Sequence, residues 1–116
     1  MATVYKTLGQ VQSSGTITTY DQLYLVPSGY SALVSNIVIC NRSSSDQTFR
    51  ISCSETTTPV AKEFIAYGIT VPANDTIPLV IGLTLDYGVG GDDIKYLLCS
   101  STSASVSFSV FGAEIS

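Results

Sequence analysis

The chain reads as an all-β protein: a single antiparallel β-sandwich of about eight strands, jelly-roll or immunoglobulin-like in topology. Three observations lead there. Short runs rich in branched and aromatic residues recur at intervals of roughly 8–14 residues, each bounded by Gly, Pro, Asn, Asp or Ser. Several runs alternate apolar with polar, the period of a strand with one buried face. No stretch sustains the apolar repeat of a helix.

The element around which the rest is organised is residues 33–41, Leu-Val-Ser-Asn-Ile-Val-Ile-Cys-Asn, the longest run dominated by large aliphatics. On strict alternation Leu33, Ile37 and Ile39 share one face and Val34, Val38 and Cys40 the other, which predicts a central strand covered on both sides. Ahead of it, residues 2–8 read as a short strand and 9–15 as a looser stretch. Residues 16–20 fit a second, polar strand or an edge extension, and 22–26 a strand closed by the turn residues Pro27, Ser28 and Gly29. After the polar loop 41–46, residues 47–54 alternate cleanly, with Phe49, Ile51 and Cys53 inward, and are expected to form a hairpin with the central strand. Residues 62–71 are a strand interrupted at Gly68, where a bulge fits, and a single helical turn is possible around residues 60–64. Pro72 to Thr76 is a turn, and residues 77–85 form a strand that Pro78 assigns to an edge or a strand start. Residues 94–100 and 105–111 are the last strands, with Val106, Phe108 and Val110 inward.

The 116 residues fit one domain spanning 1–116, and a chain of this length buries roughly 60–70% of its unfolded surface, enough for a core without staples. Hydrophobic residues make up 45% and charged residues 12%, so the surface must be largely Ser, Thr, Asn and Gln. That composition suits a molecule packed against neighbours as well as an ordinary Ser/Thr-rich sandwich. The net charge is −4, and the five bases are scattered singly, which argues against direct nucleic-acid binding. No apolar run approaches the roughly 20 residues of a membrane-spanning helix, and the first residues lack a secretion signal, so synthesis and release into a cytosol is expected. Cys40, Cys53 and Cys99 are odd in number and match no zinc or redox spacing, which makes free, buried thiols acting as small hydrophobes the favoured reading.

Histidine is absent, which removes the commonest general base, the Ser-His and Cys-His nucleophile pairs and the commonest metal ligand. A carboxylate pair can hydrolyse glycosides without histidine, but the acids here sit in loops with no aromatic platform, and the chain contains no tryptophan. No catalytic residue and no cofactor is expected. Asp86, Asp92 and Asp93 flank a glycine-rich loop, yet their spacing is not that of an EF-hand, and a solvated turn is the preferred reading over a metal site. Asn41-Arg42-Ser43 and Asn74-Asp75-Thr76 match the glycosylation acceptor pattern and are read as turn chemistry. Seven tyrosines cannot all be core, because each hydroxyl needs a partner or water. Tyr20, Tyr30 and Tyr87 fall at strand ends or loops, where aromatic rings anchor contacts. Together with Asp86, Asp92 and Asp93 they are the candidate interface residues.

The opening Val4-Tyr5-Lys6-Thr7-Leu8-Gly9-Gln10, the segments Leu23-Tyr24-Leu25-Val26-Pro27, Val38-Ile39-Cys40-Asn41-Arg42-Ser43 and Phe64-Ile65-Ala66-Tyr67, and the close from Phe108 to Ile115 resemble stretches of small virion structural proteins of tailed bacteriophages. The similarity is strongest with those infecting marine bacteria and cyanobacteria. Within that class the size and strand pattern look most like a capsid decoration, or cement, protein. The resemblance implies a non-enzymatic homotrimer that binds the major capsid protein on the outer capsid surface after assembly in the bacterial host cytoplasm, with no nucleic-acid or membrane partner. The alternatives are a tail, baseplate or fibre-associated adhesion module, and a carbohydrate-binding β-sandwich.

Overall fold

A computed structural model describes residues 2–87 and 93–116. Among them the fold is all-β: β1 (Thr3–Gln12), β2 (Asp21–Leu25), β3 (Ser31–Asn41), β4 (Gln47–Ser54), β5 (Phe64–Val71), β6 (Thr76–Asp86), β7 (Tyr96–Ser101) and β8 (Val106–Ile115). They form two four-stranded antiparallel sheets, a front sheet ordered β1-β8-β3-β6 and a back sheet ordered β2-β7-β4-β5. The pairings are nested. First pairs with last, β2 with β7, β3 with β6 and β4 with β5. The β3–β8 and β4–β7 contacts then complete the sheets.

Alternation builds the core. Phe49 and Ile51 of β4, Leu97 and Cys99 of β7, and Val106, Phe108 and Val110 of β8 are all buried between the sheets. Phe49 and Phe108, from opposite sheets, meet edge to face with ring centroids 6.1 Å apart, a favoured aromatic geometry.

Several local expectations are corrected. The β3 and β4 strands do not form a hairpin; they lie in different sheets, and β4 pairs with β5 and β7. The polar loop between them crosses the sandwich and is tied down by Asn41, whose buried Nδ2 donates to the carbonyls of Ser45, Val71 and Pro72 at 2.9, 3.1 and 3.2 Å. Its Oδ1 accepts from the Ser43 amide and hydroxyl, so this asparagine acts as a corner lock. Strict alternation also fails in β3. An extra residue at Ser35 shifts the register, so Val34, Ile37 and Ile39 face the core while Leu33, Val38 and Cys40 face outward. A bulge inverts the parity of everything beyond it.

Residues 16–20 form a turn rather than a strand, closed by the Thr19 amide on the Thr16 carbonyl. The first strand runs through Gly9, absorbing Leu8 as a bulge; a side chain at Gly9 would collide with the Leu23 carbonyl oxygen, so only glycine allows this close approach. The turn near residue 60 is a 3-10 turn at Ala61–Glu63, where the Glu63 carboxylate accepts the Val60 and Glu55 amides at 2.9 and 3.1 Å. Gly68, with φ of 70°, marks the bulge in β5 as the sequence suggested.

Candidate functional site

The expected interface residues divide into two groups. Tyr30, Asp86 and Tyr87 come together. A turn brings the Tyr30 amide onto the Pro27 carbonyl, and the Tyr87 amide donates to the Tyr30 carbonyl at 3.2 Å. Between them, with Ser31, Ile115 and Ser116, lies an open recess of about 350 Å3. The Asp86 amide donates to the Ile94 carbonyl, which brings the half-buried Asp93 to the same end of the sandwich. The Lys95 ammonium sits 4.7 Å from the centre of the Tyr87 ring, a cation–π contact that holds the ring at the rim. Asp92 lies outside the described residues.

Tyr20 stands apart, at the other end of β2. Its hydroxyl accepts from Arg50 Nη1 at 2.9 Å, and its ring lies 5.8 Å from Phe64. Phe64 meets Tyr67 edge to face at 5.0 Å, and the Arg50 guanidinium covers the Tyr67 ring at 4.1 Å. Tyr20 precedes β2 and Phe64 begins β5, the two edges of the back sheet, which are about three strand spacings, or ~14 Å, apart. Their contact is made by side chains that reach across the outer side of the two inner strands. Beneath this roof Ser52, Leu98 and Ser100 point away from the core cluster yet are essentially inaccessible. Sequence reasoning singled out Tyr20 and missed Arg50, Phe64 and Tyr67, because their meeting depends on the order in which β2, β7, β4 and β5 pair.

The chemistry of the buried titratable groups is structural. Tyr24 donates to Glu114 Oε2 at 2.5 Å, and Lys6 donates to Oε1 at 3.1 Å, joining β1, β2 and β8 at one end of the sandwich. Burial, reinforced by the adjacent carboxylate, raises the Tyr24 phenol, while the Tyr24 hydrogen bond and then Lys6 hold the Glu114 carboxyl below the usual range against an opposing effect of burial. Burial pushes the Cys53 thiol up to about 11, with Glu63 adding to it, and raises Cys99 further. All three cysteines are free, but only Cys99 is buried; Cys53 is half-buried, and Cys40 is half-buried on the outward side of β3, where the extra residue at Ser35 turns it. Among the described residues no cluster of His, Cys, Asp and Glu is placed to hold a metal, and no helix is long and apolar enough to cross a membrane.

These features define a class by architecture, an eight-stranded sandwich of nested antiparallel pairs. A solved structure shares that fold. The chain is similar to a chain of the T13 IBDV viral particle, with a TM-score of 0.50 and 13% identity over 97% of this chain and 29% of that one. A pentameric capsid protein isolated from metagenomic phage sequences is similar at 19% identity and a TM-score of 0.37, over 97% of this chain and 59% of that one. The chain thus spans under a third of the first and about three fifths of the second. At 13% identity what the IBDV chain shares with this one is the fold. No protein-family model matches the chain, and no curated protein matches it in sequence.

Proposed function

We propose that this chain is a non-enzymatic structural protein of a virion, built as a jelly roll, and that it serves as a capsid decoration subunit of a tailed bacteriophage. The nested strand order, β1-β8-β3-β6 over β2-β7-β4-β5, is the observation that carries the reading. Jelly rolls are the double-sheet solution recurrent in viral capsid domains, in which eight strands rolled as nested pairs give two packed sheets whose outer sides and loops can meet neighbours. The fold likeness to a chain of the IBDV particle supports it, as does a surface poor in charge.

In this role the subunits form a closed trimer on the outer shell, and each trimer ties several major-capsid subunits together. Once one contact has formed, the linked contacts gain from effective concentration. The recess bordered by Tyr30, Asp86 and Tyr87, with Asp93 beside it, supplies the shell contact, with Tyr20 and the loop carrying Asp92 as further contact points. Quantitative gels of purified particles test the assignment. Decoration expects on the order of hundreds of copies per particle, set by the symmetry of the shell; a handful of copies places the chain in the tail and refutes it. Shortening the loop between Asp86 and Asp93 is expected to lower incorporation, and unchanged incorporation removes that loop from the contact.

A further inference from the structure

The two sheets differ in what covers them. The back sheet is roofed by the chain's own Tyr20, Phe64 and Arg50, whereas among the described residues the outer side of the front sheet keeps large side chains exposed. Register identifies its outward side chains row by row: Tyr5, Ala113, Leu33 and Thr84 lie across the four strands, and Thr7, Phe111, Asn36 and Val80 form the next row. Tyr5 is 81% exposed, Val80 80% and Leu33 44%. Along every paired outward position of this sheet the charged residue is Asp86 alone, at the rim where the face runs into the Tyr30 recess. Lys6 and Glu114, on strands of the same sheet, point the other way and bind one another.

We infer that this front face seats a second copy of the chain. This deepens the assembly role proposed above and names the surface that carries it. Charge selects the occupant. The chain bears a net charge of −4, so copies repel one another wherever their acids meet, and the front face is where they meet without charge. A charged partner would have to strip water from groups that find no counter-ion here. Size agrees with this. Four strands about 4.8 Å apart and about ten residues long at ~3.3 Å per residue outline roughly 600 Å2 before side-chain relief is counted, close to the ~800 Å2 that each partner buries in a stable interface.

The edges point the same way. β1 and β6 flank the face, and neither offers a regular ladder: β1 is bulged at Leu8, and β6 carries Pro78 and a register break opposite Ser35. On the back sheet β2 and β5 are broken near Leu23 and Gly68. Bulges and proline on every edge oppose strand addition, which leaves the face as the route for association.

The test is subunit mass in solution by light scattering and native mass spectrometry at micromolar concentration, on the full chain. The unmodified protein is expected to weigh a multiple of the chain, and a Leu33→Arg/Val80→Arg variant to fall to a single copy while keeping its far-ultraviolet dichroism. Tyr5→Arg, at a highly exposed position, provides a second route to the same loss where the double variant does not fold. Val60→Arg, at an exposed valine outside this face, is expected to leave the mass unchanged. A monomeric unmodified protein overturns the inference, as does a front-face variant that stays assembled. A monomer that binds purified shells and loses binding on Val80→Arg also overturns it, by assigning the face to the shell. These outcomes are independent of particle copy number, so failure here and failure of the virion assignment are distinguishable.

Discussion

Removing the ring of Phe108 tests the packing of the two sheets most directly. Phe108 lies on β8, an interior strand of the front sheet, and Phe49 on β4, an interior strand of the back sheet; both are fully buried. Their rings meet edge to face across the middle of the sandwich at 6.1 Å. Phe108→Ala takes away a buried side chain that no neighbouring loop can replace, because rigid ladders hold β8 on both sides. The expected cost is about 3–5 kcal/mol, transfer and cavity together. In a chain of this length each kcal/mol lowers the melting temperature by about 4 °C, so a drop of about 12–20 °C is expected. The assay is urea unfolding with matched calorimetry, at one protein concentration so that assembly does not shift the midpoint. A cycle with Phe49→Leu then isolates the ring–ring contact, expected at about 0.5–1.5 kcal/mol. A total loss under about 1 kcal/mol would refute the reasoning, since side chains between properly stacked sheets cannot be removed so cheaply.

Three further outcomes follow from named contacts. Glu114 is held below the usual carboxyl range by Tyr24 and Lys6, so its contribution is complete above the unfolded value of about 4.3 and fades as pH falls through the lower folded value. Tyr24→Phe is therefore expected to be less stable than the parent at pH 7, with the gap narrowing below about pH 4; a gap constant down to pH 3 in urea titrations contradicts this. Asn41→Asp replaces the amide that donates to three carbonyls with a group that cannot donate, and a loss of about 2–4 kcal/mol is expected on chemical denaturation; a neutral result removes the corner lock. The Cys53 and Cys99 thiols are raised by burial, so iodoacetamide at pH 8 should leave both unmodified until denaturant is added. Mass mapping that finds Cys99 alkylated in the folded protein rejects that environment.

Where the chain's pattern was purely local, it could be read directly. Val106, Phe108 and Val110 alternate with serines and occupy the core as that alternation requires. Gly68 and Pro78 sit where a bulge and an edge strand need them. Of the candidate interface residues, Tyr30, Asp86 and Tyr87 were legible as loop and strand-end positions, but their convergence depends on the Tyr87–Tyr30 backbone bond across the β2–β3 and β6–β7 connections. The outward faces of Leu33 and Val38 were read wrongly or as covered because a single extra residue at Ser35 changes no composition and leaves no local mark.

By itself the sequence determined the strand class, the core residues beyond the bulges, the free thiols and the lack of a histidine-based site, because each follows from side-chain chemistry or period-two alternation. The tertiary structure alone decided that β3 and β4 part into different sheets, that first and last strands close the front sheet, and that Tyr20 reaches Phe64 over the back one. Those outcomes rest on pairings between residues far apart in the chain, whose free energy comes from packing two sheets together rather than from any local preference. Among the described residues the same packing leaves one broad, nearly uncharged face with Tyr5, Leu33 and Val80 exposed.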